Sequence, residues 1–287
     1  GDFRISDEPF EAKYLRWPTA SPDGGRVAFI AVQRIWTMNL PDGTPSRLTP
    51  EVFGPFEFSP AWSPDGRSIA YTSYLSGFPD VIVSHLYEGR MTRPANGNTE
   101  DHNFTPAFSP DGTQIAFWSN RNGNPDIYVV NADGTGDVRQ LTNHPGIDES
   151  PTWSPNGQQI AFTSDRTGSP QIYVIGADGT GFRRLTYETY CTRPTWSPPP
   201  FNEIAYASKT GPGHDIKVLD LATNEVRQLT YGLGSNESPS YSPNGRHIAF
   251  TSTRGSGLKQ IYTIGRDGNG LSRVTSDGNN EMPSWSR

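Results

Sequence analysis

Apolar residues in this chain are gathered into short runs, each set between stretches rich in Gly, Pro, Asp and Asn. Residues 149–186, ESPTWSPNGQQIAFTSDRTGSPQIYVIGADGTGFRRLT, show the unit most clearly. Residues 150–153 form a short segment that ends on a bulky aromatic. The SPNG that follows predicts a tight turn, because Pro presets φ and Asn-Gly accepts the left-handed region. The runs IAFT at 160–163 and IYVI at 172–175 are rich in β-formers. Ala177-Asp178-Gly179 is a hairpin signal, and residues 183–186 predict a last, more polar strand. Nothing in the unit has a helical period. It predicts one antiparallel sheet of four strands.

The unit recurs. The serine that opens the turn returns at Ser21, Ser63, Ser109, Ser154, Ser197, Ser242 and Ser286, with gaps of 42, 46, 45, 43, 45 and 44 residues. A period in the mid-forties with four strands per period is the spacing of propeller blades. A lone sheet of this kind has two open edges and little core, and radial packing relieves both. Each inner strand carries a proline two residues before its aromatic end, as at Pro60, Pro106, Pro151, Pro194, Pro239 and Pro283. Second, third and fourth strands are each predicted six times, and first strands seven times. The fold expected is all-β: a six-bladed β-propeller of four-stranded antiparallel blades with a surplus terminal strand. Residues 1–13 read as an N-terminal arm and 14–287 as the propeller. The surplus strand at 281–285 has three readings: ring closure on the first blade, the start of a further blade or domain, or pairing with a neighbouring molecule. Ring closure leads.

Composition narrows the picture. Hydrophobic residues are only 33% of the 287, yet aromatics reach 11%, with 30 Gly and 26 Pro. Strict periodicity argues against disorder, and short strands packed by aromatic residues fit these figures. A net charge of −6 speaks against nucleic acid or an anionic membrane as partner. No apolar stretch approaches the ~18 residues of a membrane span, and residues 1–13 show no leader pattern. Cys191 is the only cysteine, which excludes a disulfide framework and reads as a small, partly buried residue.

The repeat resembles that of the TolB-type, WD40-like propellers, whose pattern PxWSPDGxxIAFxSxRxGxxxIY…DGxxxRxLT is matched nearly throughout residues 106–186. The resemblance covers about residues 14–287 and is specific for the repeat family, not for one member. TolB proteins also carry a separate α/β domain ahead of the propeller, and this chain has none. What the resemblance implies is a periplasmic or extracellular bacterial protein that binds other proteins.

Candidate chemistry lies in the loops that lead into the inner strands. At residues 50–57, 94–103, 143–149, 187–192, 231–237 and 276–281 they hold ten carboxylates and no Lys or Arg. This segregation predicts an acidic mouth at one end of the axial channel. Asp148-Glu149, Asn236-Glu237 and Asn280-Glu281 stand just before the proline of three inner strands. Their oxygens would suit Ca²⁺, which takes six to eight such ligands, and a cation would offset their mutual repulsion. A solvated acidic rim is the plainer alternative. Glu57, Glu100, Asp101, Glu188 and Asp277 complete a rim that would meet a protein or peptide partner, a basic one by charge. Asp165-Arg166 and Asn120-Arg121 share one repeat position and read as contacts within a blade. Two Asn-x-Ser/Thr sequons begin at Asn103 and Asn236.

No G-x-S-x-G elbow, HExxH or Walker loop is present. The leading reading is therefore a non-catalytic interaction propeller, with calcium near the acidic mouth. The alternatives are an accessory domain of a hydrolase, a metal-dependent lactonase-like enzyme, or a subunit of a homo-oligomer assembled through its terminal strand.

Overall fold

The computed structural model describes residues 14–49, 56–97, 100–255 and 257–285. The expected arm, residues 1–13, lies outside them, as does Glu51. Among the described residues every element is a strand, and the strands form six sheets. The inner strands of blades 1 to 6 are Tyr14–Ala20, Glu57–Trp62, Asn103–Phe108, Asp148–Trp153, Cys191–Trp196 and Asn236–Tyr241. Each pairs antiparallel with the second strand of its blade, the second with the third, and the third with a fourth of only two or three residues. The all-β, six-bladed propeller is as expected.

The surplus strand closes the ring. Asn279–Glu281 runs parallel to Tyr14–Ala20, pairing Tyr14 with Asn279 and Arg16 with Glu281. Ser284 N donates to Pro18 O at 2.8 Å, and Ala20 N to Ser284 O at 3.3 Å. Blade 1 thus gains a fifth strand from the far end of the chain. The strand flanks the first one without displacing it. It pairs on one side only and stands at the end of that five-stranded sheet.

Alternation along a strand explains the continuous apolar runs. Ile160 and Phe162 join the cluster shared with blade 3, while Ala161 between them joins the cluster shared with blade 5. Both faces of each blade are buried, so both sets of positions are apolar. Five such clusters fill the seams from blade 1/2 to blade 5/6. The aromatic that ends an inner strand also pins the seam: Trp62, Trp153 and Trp196 donate Nε1–H to Thr19 O, Ala107 O and Thr152 O at 3.0, 3.0 and 3.2 Å.

The SPDG turns are self-contained. Ser109 Oγ donates to Asp111 Oδ1 at 2.6 Å and accepts from Gln114 N at 2.9 Å. Gly112 takes φ of +73°, where a side chain would be strained. The Ser109 hydrogen bond, with others from Thr113, holds the Asp111 carboxyl below its usual pKa. The Thr of each Leu-Thr ending is a second clamp. Thr142, Thr186, Thr230 and Thr275 each accept the backbone N–H of an isoleucine at the head of the third strand, all at 2.9 Å.

Candidate protein-binding face

Strand order puts the second-to-third loops and the loops into the inner strands at one end of the propeller. The expected acidic mouth belongs to this end. The structure corrects it, because the cations of this face come from the other loop set and from distant strands. A tally of one loop set could not see them.

Asp148, Asn236 and Asn280 do not turn toward the axis; each is buried in a blade seam. Asp148 Oδ2 accepts from the Arg166 guanidinium at 2.8 Å. Asn236 Nδ2 donates to Asp215 Oδ1 and His214 O, both at 3.1 Å, while its Oδ1 accepts from Ser252 Oγ at 2.7 Å and Arg254 at 2.9 Å. Asn280 Nδ2 donates to Asp277 O at 2.6 Å and Gln260 Oε1 at 3.3 Å. Glu281 is buried between Lys259 and Arg16, the latter at 2.7 Å. Glu237 accepts from Ser235 Oγ at 2.6 Å, with His214 Nδ1 at 3.4 Å. Glu149 is half-buried.

The outer rim is divided in the same way. Glu57 is buried and accepts from Ile35 N at 2.8 Å; burial pushes its carboxyl above the usual range. Burial works in that direction on Glu188 too. The hydrogen bonds from Lys217, Ser208 and Tyr206 outweigh it and leave Glu188 below its ordinary value. Glu100 and Asp277 are exposed, and Asp101 is half-buried.

A calcium site needs several uncommitted oxygens that converge. Asp148 Oδ2, Asn236 Oδ1 and the Glu281 carboxylate already face guanidinium or ammonium groups, and a cation placed beside those groups would be repelled, so this set fits the ion poorly. Among the described residues no three of His, Cys, Asp and Glu gather in a form that would hold a metal. Both sequon asparagines, Asn103 and Asn236, are fully buried. Cys191, expected to be partly buried, is fully buried, and burial pushes its thiol up to about 11.

The recurrent arginines act within their blades. Arg166 Nε donates to Ser164 Oγ at 2.9 Å, and its guanidinium lies over the rings of Phe162, Tyr173 and Phe182. Arg254 repeats this with Ser252, Phe250 and Tyr262.

What the charge pattern concealed is apolar. Val32, Phe56, Leu75, Ile147, Tyr187, Tyr231, Leu233 and Leu258 all stand exposed in the loops of this one end. Five of them belong to blades 4 to 6 or the loops leading into them. Tyr187 and Tyr231, at 76% and 71% exposure, each follow the Leu-Thr ending of a blade. That shared position was the signal available in the sequence.

A family profile described as the TolB beta propeller domain matches residues 55–287. The chain belongs to that family. Among curated relatives, the Tol-Pal system protein TolB of Bordetella avium is 44% identical over 229 residues, which are 79% of this chain and 51% of that protein. The chain thus spans about half the length of this relative. Among solved structures, TolB from Acinetobacter baumannii superposes with a TM-score of 0.71 at 27% identity, covering 93% of this chain and 66% of that one. An oligogalacturonate lyase in complex with manganese has the same TM-score, 0.71, at 18% identity, covering 90% of this chain and 76% of that one. That second likeness shows the fold alone.

Proposed function

We propose that this TolB-family propeller is a non-catalytic binding module that engages a protein partner through the loop end described above. The observation that carries this reading is the arc of exposed Ile147, Tyr187, Tyr231, Leu233 and Leu258 over blades 4 to 6. Interface centres are depleted in charge and enriched in aromatic residues. Beside the arc, Asp148 is paired with Arg166, Glu188 with Lys217 and Glu281 with Lys259 and Arg16, so the apolar anchors stand among partly compensated charges. The pairing weakens the argument for a basic partner and for a resident calcium ion. Kinship with Tol-Pal system TolB proteins supports the Pal component of such a system as the partner to try first, and a periplasmic place of action.

Titration of the chain with purified Pal protein, by calorimetry, tests the proposal. Tyr187→Ser and Tyr231→Ser are each expected to weaken binding by about tenfold, as anchor residues do, with an unchanged melting temperature. Absence of binding, or binding indifferent to both substitutions, would sink it.

A further inference from the structure

The inner strands share a distortion that gives the axial channel its lining. In each of them the residue before the proline has positive φ: +48° at Trp17, +51° at Ser59, +49° at Thr105, +56° at Ser150, +53° at Arg193 and +55° at Ser238, and the closing segment repeats it with +59° at Met282. The pairing register slips at the same place, as between Glu149 and Thr152. A residue ahead of proline is ordinarily extended, so the repeated bulge sets a special level in the wall. All seven residues line one cavity of about 310 Å³ on the axis.

This level is chemically unfinished. Among the described residues the hydroxyls of Ser59, Thr105, Ser150 and Ser238 make no hydrogen bond, and Thr105 Oγ1 is buried without a partner. The Arg193 guanidinium likewise has neither a hydrogen bond nor an ion pair among them; only its backbone N–H is engaged, by Thr163 Oγ1 at 3.1 Å. The other arginines of this kind, Arg166 and Arg254, are bonded and stacked on rings. Arg193 is the one ionisable side chain among the described residues lining the cavity. Glu149 and Glu237, one position earlier on the flanking strands, do not line it.

We infer that the axial channel is a binding site for a carboxylate. Blades 4 and 6 flank blade 5, so Ser150 and Ser238 present hydroxyl donors on either side of Arg193. A planar guanidinium binds a carboxylate through two parallel hydrogen bonds, and the serines supply further donors. The remaining wall is largely Pro, Ala, Trp and Met, and the volume lies at the small end of ligand pockets. It fits a carboxylate carried on a slim tail, either a small organic acid or the C-terminal end of a peptide.

The test is calorimetric titration of the whole chain with N-acetyl-trialanine as free acid and as amide, with acetate as competitor. The free acid is expected to bind at least roughly tenfold more tightly than the amide. Arg193→Gln, which removes no internal contact, is expected to lose that preference while melting like the parent. The double change Ser150→Ala with Ser238→Ala should weaken the acid alone. Displacement by acetate identifies small acids as the source; binding that acetate leaves untouched identifies a chain end. Equal binding of acid and amide, undiminished binding by Arg193→Gln, or no carboxylate bound at millimolar concentration would overturn the inference.

Discussion

The seams between blades 5 and 6 and between blades 3 and 4 use the same positions and differ by one atom type. At seam 5/6, Asn236 opposes Asp215, so an amide donor meets a carboxylate at 3.1 Å. Asp215 also accepts from Thr230 Oγ1 at 2.8 Å and Gly232 N at 3.2 Å. At seam 3/4 the corresponding residues are Asp148 and Asp126, two buried carboxyls. Asp126 is served by Thr142 Oγ1 and Gln140 Nε2, both at 3.1 Å, but Asp148 Oδ1 is buried with no partner. Burial raises the Asp126 pKa, and the Asp148 charge adds to that rise. Equal backbone geometry therefore does not ensure complementary chemistry. Seam 5/6 is complete without its arginine, whereas seam 3/4 depends on Arg166.

The largest effect should follow from removing those arginines. Arg166→Ala strips a buried carboxylate of its only cation and is expected to cost about 3 kcal/mol. Arg254→Ala leaves a neutral amide whose oxygen still holds Ser252, so about 1 kcal/mol is expected. Both variants lose similar ring contacts, which makes the difference informative. Urea unfolding of the two would break the comparison if the losses were equal.

Much of this molecule was legible because its determinants are local. The SPDG turn bonds to itself within five residues, and IAFT and IYVI are apolar throughout because a blade is covered on both faces. The count of strands followed, and so did the leading place for residues 281–285. The site was less legible, because charges are balanced across the fold and not along it. Glu281 meets Arg16 from the other end of the chain, and Glu188 meets Lys217 on a third strand. Counting carboxylates in one loop set inevitably suggested an acidic, calcium-binding mouth. Arg193 escaped notice because the bulge that brings it to the channel contradicts the extended form expected before proline.

Exchanging the two opposed residues sharpens the contrast. Asn236→Asp converts seam 5/6 into an acid pair and is expected to cost about 2 kcal/mol at neutral pH. Asp148→Asn does the reverse and is expected to stabilise by about 1 kcal/mol. The pH dependence carries a definite sign. An acid whose native pKa is raised binds its proton more tightly folded than unfolded, so stability falls as pH climbs above the ordinary carboxylate value of 3.8 toward the raised one. The gain from Asp148→Asn should thus be nearly absent at about pH 3 and complete at about pH 7. A gain that is constant with pH would mean that the Asp148 charge does not contribute to the raised pKa of Asp126.

The smallest effect belongs to calcium. A ligand that binds only the folded state raises the melting temperature by mass action, so a resident ion would show itself as a drop on adding EDTA and a recovery with Ca²⁺. Asp148 Oδ2, Asn236 Oδ1 and the Glu281 carboxylate are instead held by Arg166, Arg254, Lys259 and Arg16. A cation placed among them would meet repulsion that the opposed carboxyls at seam 3/4 do not offset. The melt is therefore expected to be indifferent to both additions. A calcium-specific rise, lost when Glu149, Glu237 and Glu281 are changed together to Gln, would show that these acids turn to an ion. The internal pairing that distinguishes this face would then be only its ion-free arrangement.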